Sequence, residues 1–103
     1  MNVIDKNKDK LIALCDSHNV KALYLFGSVL TDKFNDASDI DMLIQFYPVD
    51  LPGYFDNYMD LKEKLELLFG RPIDLIENQA IRNPIFRQVV EREKHLVYER
   101  KSA

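Results

Sequence analysis

The sequence predicts an α+β fold of two layers, a short mixed β-sheet packed against helices, and three observations carry that expectation. Two short apolar runs, residues 22–26 and 40–46, read as buried strands. Longer stretches repeat their apolar residues at helical spacing, as Tyr54, Tyr58, Leu61, Leu65 and Leu68 do at steps of four and three. A third apolar run, residues 71–76, follows Gly70 and is too short for a helix.

In chain order, Ile4, Leu11, Ile12 and Cys15 predict one packing helix over residues 4–18, with Asp5, Lys6, Lys8, Asp9 and Lys10 facing outward. A turn at Asn19 leads into the first strand, residues 21–26, and the Gly27-Ser28 junction opens a short helix with free backbone donors. Residues 32–38, polar except for Phe34 and Ala37, return the chain to the second strand. Tyr47-Pro48 and Leu51-Pro52-Gly53 form a breaker cluster ahead of the helix that begins near Tyr54 and ends at Gly70. Pro72 stands at the start of the third strand, where no ladder hydrogen bond is lost. Asn83-Pro84 gives an N-cap and a first-turn proline to a third helix reaching about Lys94, with Ile85, Phe86, Val89 and Val90 on one apolar face. Residues 95–98 close the chain as an edge strand.

At 103 residues there is room for one core and not for a separate substrate domain, so a single domain over residues 1–103 is expected. Hydrophobic residues at 47% and charged residues at 30% fit an ordinary globular protein. The net charge of −3 argues against a generic grip on nucleic acid, which needs a basic patch able to displace phosphate counterions. Cys15 is the one cysteine, which excludes an internal disulfide, and its place beside Leu14 predicts a buried structural thiol. The opening MNVIDKNKDK has no apolar signal core, and no apolar run reaches the length of a membrane span. The expected location is the cytoplasm.

The chemistry gathers between the first two strands. In an extended chain Asp39 and Asp41, two apart, point the same way, with both carboxylates within reach of one cation. Strands are depleted in Asp, and a like-charged pair repels itself, so a cation has to reward the arrangement. Mg²⁺ takes oxygen ligands, commonly one or two carboxylates plus substrate phosphates. Upstream, Gly27 lets the backbone approach a phosphate and the Ser28 hydroxyl can donate to it. Asp74, flanked by Ile73 and Leu75, becomes a third carboxylate of the cluster if the third strand pairs with the second; otherwise it is a solvent-facing residue at a strand end. A capped turn is the bland reading of Asp39 and Asp41.

The pattern Gly27-Ser28, ten residues, then Asp39-Ile40-Asp41, set between two apolar strands, resembles the polymerase-beta-like nucleotidyltransferase superfamily. At this length the chain is most similar to the minimal nucleotidyltransferases (MNT), antitoxins usually encoded beside a HEPN-domain toxin. Pro72-Ile73-Asp74-Leu75 and Asn83-Pro84-Ile85 extend the resemblance along nearly the whole chain. It implies the superfamily's fold, with Asp39, Asp41 and Asp74 as catalytic residues and ligands of two Mg²⁺ ions. It also implies Gly27 and Ser28 as nucleotide-binding residues and ATP as substrate. Asp74 would help to hold the second metal and accept the proton of the attacking hydroxyl. The acceptor would be a hydroxyl, a tyrosine, on a HEPN partner silenced by AMP transfer.

The loop departs from the family. Where members often carry Ala-Arg-Gly, this chain has Leu30-Thr31-Asp32, which removes a cation beside the triphosphate and adds a charge of the wrong sign. Lys33 substitutes in part, as a point charge without the bidentate fork of arginine. A nucleotide-binding antitoxin that neutralises its partner by contact alone is therefore the rival, with a small-molecule nucleotidyltransferase behind it. The toxin role is excluded, because neither His18 nor His95 has an Arg five to seven residues before it. Both histidines read as surface or packing residues, Asp60, Glu63 and Glu66 as solvated, and Tyr54, Phe55 and Tyr58 as core.

Overall fold

The computed structural model describes residues 2–31, 35, 38–48 and 51–100. Its elements in order are α1 (Asn2–Lys6), α2 (Lys8–Ser17), β1 (Val20–Phe26), a 3₁₀ turn (Gly27–Leu30), β2 (Ile40–Phe46), α3 (Leu51–Phe69), β3 (Ile73–Glu77), a second 3₁₀ turn (Asn78–Ala80), α4 (Pro84–Glu93) and β4 (His95–Glu99). The strands form one sheet in the order β3-β2-β1-β4. β1 runs antiparallel to β2 and to β4, while β3 lies parallel to β2, its crossover made by α3. The sheet is mixed, as expected.

Strand alternation sorts the residues onto two faces. Ile40, Met42 and Ile44 of β2 and Ile73 and Leu75 of β3 bury against Ile4, Leu11, Cys15, Leu61 and Leu65 of the helices. Leu61 and Leu65 are fully enclosed, each stabilising the fold by roughly 1.5–3 kcal/mol relative to exposure. Asp41 and Asp74 alternate with that set and therefore point to the opposite face. There a smaller cluster forms from Phe26, Leu43 and Val90, with Tyr24, Ile76 and Ile81 packed on it.

Four local expectations are corrected. The helix over residues 4–18 is two helices, because the Asn7 side chain donates to the Val3 carbonyl at 2.9 Å and so competes with the backbone ladder. Leu51-Pro52-Gly53 opens α3 instead of breaking the chain, since a first-turn proline lacks only an N–H that would have no partner there. At α4, Ile85 is 72% exposed and Phe86 37%, so Val90 alone of the four apolar positions is fully buried. Phe55 is exposed, while Tyr54 and Tyr58 pack against the core, edge-on to Phe46.

Two acidic residues of α3, Asp60 and Glu66, tie it to its neighbours. His18 is buried; its Nε2 meets Asp60 Oδ2 at 2.6 Å and its Nδ1 meets the Leu14 carbonyl at 2.8 Å, so Asp60 is a tether and not only a solvated charge. Glu66 accepts from the Ile73 N–H at 3.0 Å, and the Tyr58 hydroxyl donates to the Leu75 carbonyl. These two bonds satisfy backbone groups along the outer edge of β3. At the C-terminus of α3, Gly70 adopts a φ of +67° and ends the helix. Asn83 accepts from Ile85 N and Phe86 N, the expected N-cap. Burial pushes the Cys15 thiol up to about 12, in keeping with a structural cysteine.

Candidate active site

β1 delivers its last residue, Phe26, opposite Asp41 of β2, and the chain turns at once through Gly27. Gly27 has a φ of +80°, and a Cβ placed on it would stand 2.4 Å from Asp41 Oδ2. Both the backbone twist and the space therefore require glycine, and the Asp41 carboxylate lies directly against the turn. Ser28 continues the 3₁₀ turn; its side chain lies outside the described residues.

Parallel pairing of β2 with β3 sets Asp41 in register with Asp74, one step after the Ile40–Ile73 pair. The two side chains occupy neighbouring positions on the same face of the sheet. Asp39 precedes β2 and is exposed, as is Asp74. Asp41 titrates above the ordinary carboxylate value of 3.8; burial is the main cause, followed by the charges of Asp74 and then Asp39. The strands thus bring Asp41 and Asp74 together, with Asp39 close enough to be felt.

Among the described residues, no three His, Cys, Asp or Glu side chains are drawn tightly enough as placed to hold a metal ion. The donors nevertheless suit Mg²⁺, being carboxylate oxygens beside a glycine turn. The repulsion felt by Asp41 is also what a cation would offset.

Arg71 is a positioning residue that pattern reading missed. Its Nη1 donates to the carbonyl oxygens of Asn35 (2.9 Å) and Ser38 (3.1 Å). The Ser38 N–H also donates to Asn35 O, and the Asn35 N–H donates to Ser38 Oγ, each at 3.0 Å. Pro72, next to Arg71, accepts from the Ile40 N–H at 3.1 Å. Asp39 is thus bracketed by contacts from the two residues just ahead of β3. Arg71 lies more than thirty residues downstream of its partners, and its one sequence signal is its place ahead of the Pro72-Ile73-Asp74 run. Asp32 and Lys33, the loop charges weighed from sequence, lie outside the described residues.

Comparison with known proteins agrees with this geometry. The model of the family described as Polymerase beta, Nucleotidyltransferase matches residues 9–103. A protein of Methanocaldococcus jannaschii with the provisional name protein adenylyltransferase is 35% identical over 85 residues, 82% of either chain. A solved structure provisionally described as a minimal nucleotidyltransferase superposes with a TM-score of 0.75 and 26% identity, over 91% of this chain and 92% of that one. A structure of a tri-AMPylated Shewanella oneidensis HEPN toxin in complex with MNT antitoxin shares the fold alone, with a TM-score of 0.64 and 21% identity over 93% of this chain and 72% of the matched one. With a family match over most of its length and a relative at 35% identity, the chain belongs to the polymerase-beta nucleotidyltransferase family and is a nucleotidyltransferase.

Proposed function

We propose that the chain transfers AMP from ATP to a hydroxyl, a tyrosine, of a HEPN-domain partner, and that this transfer silences the partner. One observation carries the reading: β2 and β3 hold Asp41 and Asp74 in register beside a turn that only glycine can make. A site for the nucleotide donor needs such a place, where phosphate oxygens can approach backbone and carboxylates at once. The relative named a protein adenylyltransferase supports a protein acceptor, and the AMPylated toxin complex supports its class. A ribonuclease partner would set both proteins in the cytoplasm.

Asp39, Asp41 and Asp74 would hold Mg²⁺, two ions in the family reading, which when bound offsets the charge gathering on the phosphoryl oxygens. Gly27 clears room for the phosphates against Asp41, and Ser28 donates to them. Asp74 accepts the proton of the incoming hydroxyl as its oxygen bonds to the α-phosphorus and the bond to pyrophosphate breaks. Arg71 keeps Asp39 in line by holding the Asn35 and Ser38 carbonyls.

The test is incubation of the purified chain with labelled ATP, Mg²⁺ and a HEPN-domain protein as partner. The expected result is a partner heavier by whole adenylates and inactive as a ribonuclease, with Asp39→Asn and Asp41→Asn each blocking transfer. Complex formation and silencing without any mass change would instead favour neutralisation by contact, the reading that the arginine-free stretch Leu30-Thr31-Asp32 supports.

A further inference from the structure

The outer surface of the helix layer carries a cleft that transfer does not use. Lys10, Ala13, Leu14 and Ser17 form one wall, on one face of α2, and Lys64, Leu67 and Leu68 form the other, on α3; the cleft measures about 640 Å³. Within each wall the residues stand three and four apart, so each helix offers one ridge, and the furrow between two such ridges is the shape into which a third helix packs. Leu67 at its edge is 76% exposed, a large apolar side chain left open by the described residues.

We propose that this groove receives an amphipathic helix of a partner protein, with an apolar stripe on the leucine floor and acidic residues beside the two lysines. The charges select that occupant. Among the described residues no acidic side chain lines the cleft, while a lysine stands on each wall. Lys64 also bonds Asp60 at 2.8 Å, yet an ammonium has three donors and keeps capacity for a second carboxylate. A second copy of this chain, seated about a two-fold axis, would set like charges against each other, Lys10 and Lys64 on both sides. A membrane surface asks for a longer basic stripe than two lysines provide.

The groove and the aspartates lie on opposite sides of the sheet, because the residues facing α2 and α3 alternate with Asp41 and Asp74 along their strands. Occupancy therefore leaves the nucleotide site open, and docking and transfer become separable.

The experiment is an NMR titration of the isotope-labelled full chain with a synthetic amphipathic helix carrying a leucine stripe flanked by glutamates, and with its twin bearing lysines in their place. The glutamate peptide should shift Ala13, Leu14, Leu67 and Leu68 saturably and leave Asp39, Asp41 and Asp74 unmoved. The lysine peptide, and Leu67→Glu with the glutamate peptide, should bind at least tenfold more weakly. Lys10→Glu combined with Lys64→Glu should reverse the preference between the peptides. Binding indifferent to charge, binding elsewhere, or no binding at millimolar peptide would overturn the proposal. So would a concentration-dependent dimer that Leu67→Glu dissolves, which assigns the groove to a second copy. Co-sedimentation with phosphatidylserine vesicles in place of peptide binding would assign it to lipid.

Discussion

Asp41 sits where its own charge is unwelcome: burial and the neighbouring Asp74 and Asp39 all favour its protonated form. A carboxyl group whose value is raised on folding lends its full stability below the ordinary 3.8 and loses it as the pH climbs through the raised value. At neutral pH and without divalent cations, the wild-type side chain is therefore a destabilising one. Asp41→Asn in EDTA should melt about 2 °C higher than wild type at pH 7, with the gap closing on acidification, and should lose transfer altogether. Thermal melts across the range pH 3 to 7 check this, and a lower melting point for the variant throughout would refute it. Gly27 is constrained from the other side of the same contact. Gly27→Ala sets a methyl 2.4 Å from Asp41 Oδ2 on a backbone with φ at +80°, so something must shift. We expect a loss of about 1–3 kcal/mol in stability by denaturant titration and a loss of transfer that higher ATP does not restore.

At the level of strands and helices, the parts best read from sequence were those whose signal is local. β2 has its predicted bounds, since its apolar run is framed by Asp39 and Pro48. α4 begins at Pro84 because the Asn83 cap is a local bond. The carboxylate pairing across β2 and β3 could be anticipated only as a consequence of strand order, and the register supplies it. Two features escaped for different reasons: Asn7 interrupts the first helix through a bond to Val3, four residues back, under a pattern that still reads as helical, and Asp60 reads as solvated until His18, distant in the chain, is folded against it. Arg71 belongs to this second kind. Arg71→Ala removes the two Nη1 bonds to the Asn35 and Ser38 carbonyls and loosens the backbone just ahead of Asp39, while its own position lies outside the core. Because an ångström of misplacement can cost about a hundredfold in rate, we expect transfer to fall by about 10–100-fold with little change in melting temperature. Rate and melting point measured on one preparation decide the matter, and an unchanged rate would leave Arg71 without a positioning role.

The sheet separates the main core, beneath α2 and α3, from the face that carries Asp41 and Asp74 beside a smaller apolar cluster. Leu65 is wholly enclosed among the helices and the residues of β2 and β3 that face them, and deleting its branched end leaves a void that close-packed neighbours fill only in part. Leu65→Ala should cost about 2–5 kcal/mol, enough to lower the melting temperature by more than 8 °C in a domain of this size, while the folded fraction keeps its transfer rate. Asp74→Asn is the mirror case. Asp74 is exposed on the opposite face, beside Asp41, and its charge raises the value of its neighbour. Removing that charge should leave the melting temperature equal or higher and abolish transfer, because it takes away the carboxylate assigned to receive the proton without opening a cavity. The two variants together test the division: were Leu65→Ala to lower the transfer rate of folded protein as strongly as Asp74→Asn, the helices would be shaping the reacting face through the sheet.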